Sequence, residues 1–299
     1  PKGSGENSNL VIDSLALINY LENLASDEFQ GRKPLTTAEK VTVDYIKNSL
    51  EALGIAPANG DSYLQEVPLV EITGTPAPNM NFNAPSESFD LQSGTDYTIF
   101  TQREQASIDI DNAELVFCGY GIVAPEYGWN DYEGIDMTGK IAVVMVNDPG
   151  FATGDSTLFK GNTMTYYGRW TYKFEEAARQ GAEGALIIHE TNAAGYPWFV
   201  VAGGQGIGKL NLQTPNGNAD LCAINGWLSL GAAAKVLKAS GMTNARFFEK
   251  AQTPGFKPIP LGIKVSTTLE NTFKKDVSQN VAGIIKGSKY PDEYVIYSA

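Results

Sequence analysis

Only one histidine, His189, and two cysteines, Cys118 and Cys222, occur among the 299 residues. That scarcity works against a self-contained zinc centre, which draws its ligands chiefly from His and Cys. The cysteines lie in no C-x-x-C pair and are too few for a disulfide framework. One bridge between them would suit an oxidising compartment, but two buried thiols are the commoner arrangement. Long apolar runs are also missing. The richest, residues 141–146 and 185–188, are strand-length, far short of the ~20 residues a membrane helix needs. There is no basic cluster: Lys274 and Lys275 are followed at once by Asp276, and the net charge is −12. Nucleic acid is thereby excluded as a partner, because phosphate binding needs local positive charge. No G-x-S-x-G elbow occurs, and any Ser–His–Asp triad would have to use His189.

What is present is a core-forming composition, 42% hydrophobic and 19% charged, long enough for one large domain or two ordinary ones. The first nine residues are polar and read as a flexible lead-in, with no apolar h-region to mark a signal peptide. Residues 14–24 place Leu17, Leu21 and Leu24 at helical spacing. Thr36 and Glu39 then fit a capping box, and Gly54 the C′ position, of a second helix faced by Val43, Ile46, Leu50 and Leu53. From about residue 63 to 165, strand-like runs (97–101, 114–122 and 140–147) alternate with turns, the pattern of a mostly β unit. Residues 170–180 read as a helix stopped by Gly181, and 185–189 as a buried strand. With 140–147 these make a β-α-β crossover. Residues 229–240 form another helix, capped by Ser229 and stopped by Gly241. Residues 281–286 and 293–298 read as an antiparallel strand pair.

His189 falls at the C-terminal end of its strand, beside Glu190, where α/β sheets place ligand contacts. It is half of a metal or acid–base site with no visible second half; a strand-end histidine hydrogen-bonded to a loop is the simpler reading. Asp148, in N-D-P-G, reads as a turn residue. The glycine-rich 201–208 matches neither a dinucleotide fingerprint nor a P-loop and reads as a flexible loop. Glu175 and Glu176 point apart on a helix and read as solvated. The stretch M-T-Y-Y-G-R-W at 164–170 gathers Tyr167, Arg169 and Trp170 just before a helix. Two readings stay open: a recognition surface of aromatic platforms and a forked cation, or an aromatic lid on the core. No complete active site assembles from these residues.

Several stretches, taken in order, resemble one family. They are L-A-S-D-E-F-Q-G-R (24–32), L-E-A-L-G-I (50–55), Y-L-Q-E-V-P (63–68), F-C-G-Y-G-I-V-A-P-E (117–126) and G-K-I-A-V-V-M-V-N-D-P-G (139–150). Y-G-R-W-T-Y-K-F-E-E-A-A-R-Q-G-A (167–182) and S-Q-N-V-A-G-I-I-K-G (278–287) complete the set. They resemble the zinc-dependent aminopeptidase and glutamate carboxypeptidase family, in the branch carrying an inserted protease-associated domain. The transferrin receptor ectodomain is a non-enzymatic relative.

The resemblance implies an α/β fold in which a mostly β protease-associated domain with flanking helices is inserted into the N-terminal fragment of a zinc-exopeptidase α/β/α domain. Residues 1–69 would be the N-terminal helices, 70–263 the inserted domain, and 264–299 a return linker with the first two peptidase strands, 278–286 and 293–299. In the family that second strand runs into a His-x-Asp-His stretch holding the first metal ligand. No family ligand or catalytic carboxylate maps onto a residue here. The resemblance therefore assigns two zinc ions and a peptide substrate to a longer parent, and to this chain no cofactor and no peptidase activity. Tyr167, Arg169, Trp170 and His189 become candidate residues lining the substrate cleft. A secreted or periplasmic location is implied. The N-terminal helices and last strand pair, short of a sheet to pack on, are expected to self-associate or to be weakly ordered. The alternative is a non-catalytic protein- or ligand-binding module of the receptor type.

Overall fold

The structure, a computed structural model, describes residues 12–298. The chain divides into two compact units, one made of the residues up to Leu69 with those from Lys275 onward, the other of Val70–Lys274.

In the first unit, helix Ser14–Leu24 starts on Asp13, whose carboxylate accepts the N–H groups of Leu15 and Ala16 at 3.0 and 3.1 Å. This satisfies two of the helix's unpaired amino-terminal donors. The spacing predicted the helix, yet Leu17 and Leu21 remain 52% and 58% exposed. The second helix, Thr37–Ala52, ends as expected. The Ile55 N–H reaches the Leu50 carbonyl and the Gly54 N–H reaches that of Glu51. Gly54 takes a φ of 67°, which a residue with a Cβ adopts only under strain. Its start differs from the predicted capping box. The Thr36 hydroxyl donates to the Lys33 carbonyl instead of capping, while Glu39 accepts from the Leu35 N–H at 2.7 Å and from the Ser278 hydroxyl.

The expected terminal strand pair does not form. Within 281–286, Val281 ends the long strand Ile259–Val281, and Gly283–Ile284 pairs with Ala56–Pro57. Residues 293–298 belong to no strand, and Val295, Ile296 and Tyr297 are 83–94% exposed. A strand is completed by neighbours that take its backbone groups and cover its faces, and this unit supplies neither to residues 293–298.

The second unit is built on a mixed sheet. Four parallel strands, Ser107–Phe117, Lys140–Met145, Gly184–His189 and Ile224–Ser229, lie side by side in that order. Tyr97–Phe100 pairs antiparallel beyond the last of them, and Ile259–Val281 antiparallel beside the first. The strand expected at 114–122 begins earlier and stops at Phe117, because Gly119 and Gly121 at positive φ turn the chain. Both faces are covered. On one, Leu115, Phe117, Val143 and Leu186 share a core with Val236, Leu237 and Phe247 of helices Leu230–Ala239 and Asn244–Ala251. On the other, Val116, Ala142, Val144 and Ile187 pack with Phe174 and Ala177 of helix Trp170–Arg179. This two-sided burial is why the strands read as nearly unbroken apolar runs rather than alternating ones. Helix Trp170–Arg179 is the predicted crossover. Both thiols are buried and free.

Candidate functional site

A cavity of about 610 Å³ opens in the second unit. Its position follows from strand register. Phe100 stands opposite Asn225, and Thr98 opposite Trp227, so the period-two alternation puts all four on one face, where they line the cavity. Trp170 and Phe174, one helical turn apart, add a second wall with ring centroids 5.9 Å apart. Tyr196, Val200, Val201, Gln205 and Lys209 close a third side.

Three polar groups face this apolar space. The Asn225 amide donates to Gln102 Oε1 at 3.4 Å, but its own Oδ1 is buried and unpartnered. The Gln205 amide donates to Ser93 Oγ at 2.8 Å, leaving its Oε1 buried and unpartnered. Lys209 Nζ lies 4.9 Å from the centroid of the Phe100 ring. Burial alone lowers its pKa.

The residues singled out in the sequence go to different places. Trp170 lines the cavity. His189 lies behind it, buried, with ring centroids 5.7 Å from Tyr196 and 5.8 Å from Trp227, both lining residues. Its Nε2 has no hydrogen-bond partner, and burial holds the imidazole below its usual pKa, so it is neutral at neutral pH. Glu190 is turned away from acid–base work, accepting the Asn192 and Ala193 N–H groups as a helix cap. Tyr167 does not line the cavity. Its hydroxyl donates to Glu126 at 2.6 Å, and its ring packs edge-on to Phe159 and Tyr172. Arg169 is exposed at the start of the helix. The 164–170 segment thus splits: Tyr167 belongs to an aromatic lid and Trp170 to a cavity wall.

Two local readings need correction. Glu176 is not solvated: it is 5% exposed and accepts from Tyr172, Arg179 and Gln180. Asp148 does more than make a turn. It caps the short helix Pro149–Thr153 and accepts both the N–H and the hydroxyl of Thr165, at 3.1 and 2.7 Å.

A buried ionic cluster was not anticipated. Lys173 is 0% exposed, and its Nζ donates to the carbonyls of Asn147 at 2.8 Å and Tyr167 at 2.6 Å. Asp131, also buried, accepts the N–H groups of Tyr120 and Ile122 at 3.0 Å and the Trp129 indole at 2.8 Å. Burial lowers the pKa of Lys173 and raises that of Asp131. The opposing charges, with Asp148 on the carboxylate side, pull both back. The faint sequence signal was a lysine four residues before Ala177, on the inward face of a helix.

The family resemblance implies zinc, and the residues present do not fit it. Among the described residues no three or more His, Cys, Asp and Glu side chains gather so as to hold a metal ion. The buried carboxylates of Asp131 and Asp148 act electrostatically on the Lys173 ammonium. No helix of the described residues is long and apolar enough to cross a membrane.

No protein-family model and no curated protein sequence matches the chain. Among solved structures, it is similar to an aminopeptidase from Aneurinibacillus sp. strain AM-1, at 20% identity and a TM-score of 0.35 over 85% of this chain and 44% of that one. It is also similar to BSAP, a zinc aminopeptidase from Bacillus subtilis, at 16% identity and a TM-score of 0.27 over 85% and 42%. A third is the psychrophilic subtilisin-like protease Apa1 from the Antarctic psychrotroph Pseudoalteromonas sp. AS-11, at 14% identity and a TM-score of 0.25 over 72% and 35%. The chain spans less than half the length of each.

Proposed function

We propose that this chain supplies binding surface, and no metal ligand, to a zinc-dependent exopeptidase that hydrolyses N-terminal peptide bonds. Its second unit takes the part of a protease-associated domain that shapes the substrate cleft. The single observation carrying the reading is the aromatic-walled cavity of about 610 Å³ in the second unit. The ordered family-like stretches support the same reading, and with it a peptide substrate and a secreted or periplasmic location. The chain alone is expected to turn over no substrate. A panel of aminoacyl-p-nitroanilides with added zinc tests this; turnover by the purified 299-residue chain overturns it.

The second reading is a binding module with no catalytic partner, favoured by the unpartnered buried oxygens of Asn225 and Gln205 in the cavity wall. Should the gene continue past Ala299, a His-x-Asp-His stretch there supports the peptidase, and substituted ligands support the binding module.

A further inference from the structure

We infer that the cavity binds a small carboxylate carrying an apolar side chain and an adjacent N–H, the chemistry shared by a free apolar amino acid and the C-terminal residue of a peptide. The carboxylate would sit on Lys209, the N–H on the Asn225 or Gln205 side-chain carbonyl, and the apolar side chain among Trp170, Phe174 and Trp227.

Four features of the site carry this. The volume, about 610 Å³, lies within the ~300–1,000 Å³ of small-molecule sites. The walls are aromatic, which rewards an apolar side chain with large contact area. Lys209 brings to that apolar wall an ammonium whose pKa burial alone lowers. A desolvated charge is costly, and an incoming anion relieves it. The buried oxygens of Asn225 and Gln205 are acceptors in want of a donor, which an anion alone would not provide but an N–H next to it would. Glu175 is the other charged lining residue. Its carboxylate already accepts the Tyr166 hydroxyl at 2.7 Å and lies 3.8 Å from Arg179, so it neither demands a cation nor repels the ligand as a bare charge. The inference rests on the proposed function only in taking the cavity as a binding site. It requires no bond to be cleaved, and it anchors a peptide by the end opposite to the one an N-terminal exopeptidase attacks.

Titrating the 299-residue chain with N-acetyl-L-phenylalanine and with its C-terminal amide tests the assignment, read by calorimetry and by the fluorescence of the cavity tryptophans. The acid is expected to bind saturably and the amide at least about tenfold more weakly, the order of a charge-assisted hydrogen bond. Lys209→Gln, at a partly exposed position, is expected to lower acid binding to the level of the amide while circular dichroism stays unchanged. Free L-phenylalanine and a tripeptide ending in phenylalanine distinguish the two sources. Whichever binds more tightly identifies the ligand form, and saturable binding of either supports the site. Equal binding of acid and amide, no saturation by any of the four, or an acid preference that survives Lys209→Gln overturns the inference. Peptidase turnover by the chain would overturn the proposed function and leave this binding result standing. Loss of the acid preference would do the reverse.

Discussion

Lys173 Nζ lies 2.6 Å from the carbonyl oxygen of Tyr167, so a buried ammonium holds in place the aromatic segment that leads into its own helix. The same ammonium takes the Asn147 carbonyl, just past the end of strand Lys140–Met145, and stands in the field of Asp131 and Asp148. Lys173→Met keeps the volume and removes the charge. It should destabilise the chain by about 3–5 kcal/mol, because two buried carboxylates lose their counter-charge. The measurement is the urea midpoint. A change within about 0.5 kcal/mol, the range of ordinary surface substitutions, would show that the cluster carries no such weight.

Gly226 packs against the edge strand more closely than any side chain allows. A Cβ there would lie 2.3 Å from the Thr98 carbonyl oxygen and 2.7 Å from Ile99 Cγ2. Gly226→Ala should therefore push strand Tyr97–Phe100 away and cost about 1–3 kcal/mol. Since Thr98 and Phe100 are cavity walls, affinity for the apolar carboxylate should fall with it. Denaturant melts and the titration described above read the two effects separately.

His189 makes stability depend on pH in a defined direction. Its folded pKa lies below the ordinary 6.5 because of burial. As pH falls through about 6.5 the unfolded chain takes up a proton that the folded chain resists, so stability falls with pH and levels off below the folded value. The slope from this one group is at most about 1.4 kcal/mol per pH unit. Asp131, pushed up to about 7, and Lys173, pulled down to about 7, titrate nearby. The test is therefore the difference between the parent chain and His189→Gln in urea melts from pH 7.5 to 5.5, about one unit either side of the 6.5 reference. A difference independent of pH would contradict the assignment of a neutral, buried imidazole.

The first unit leaves apolar side chains uncovered. Leu15, Leu17, Ile18 and Leu21 of helix Ser14–Leu24 are 48–76% exposed. Surfaces of this kind favour association, and sedimentation velocity is expected to show concentration-dependent oligomers. Leu17→Glu with Leu21→Glu should shift the chain toward monomer without altering the melting of the second unit. A parent chain that stays monomeric across the concentration range would refute this.

Local punctuation made much of the second unit legible. Gly181 closes helix Trp170–Arg179, Ser229 opens helix Leu230–Ala239 by accepting the Ala232 N–H, and the apolar runs at 140–147 and 185–189 read as buried strands. What stayed hidden depends on partners remote in sequence. Residues 293–298 have the composition of a strand, but composition cannot supply a neighbour. Lys173 is turned inward only by the packing of its helix. The cavity was invisible for the same reason. Phe100 and Asn225 face it together only because two strands pair, and the glycine-rich 201–208, read as a flexible loop, became its wall once Gln205 was placed against Ser93.

That pairing also bears on how the molecule comes into being. Strand Tyr97–Phe100 finds its place only against Ile224–Ser229, although three of the sheet's parallel strands and the crossover helix lie between them in the chain. Contacts so distant in sequence form slowly. On a ribosome the aromatic residues at 97–100 would emerge long before the strand that covers them. The half-made sheet would then wait with an open hydrophobic edge, the stage at which a chaperone or a premature self-encounter would intervene.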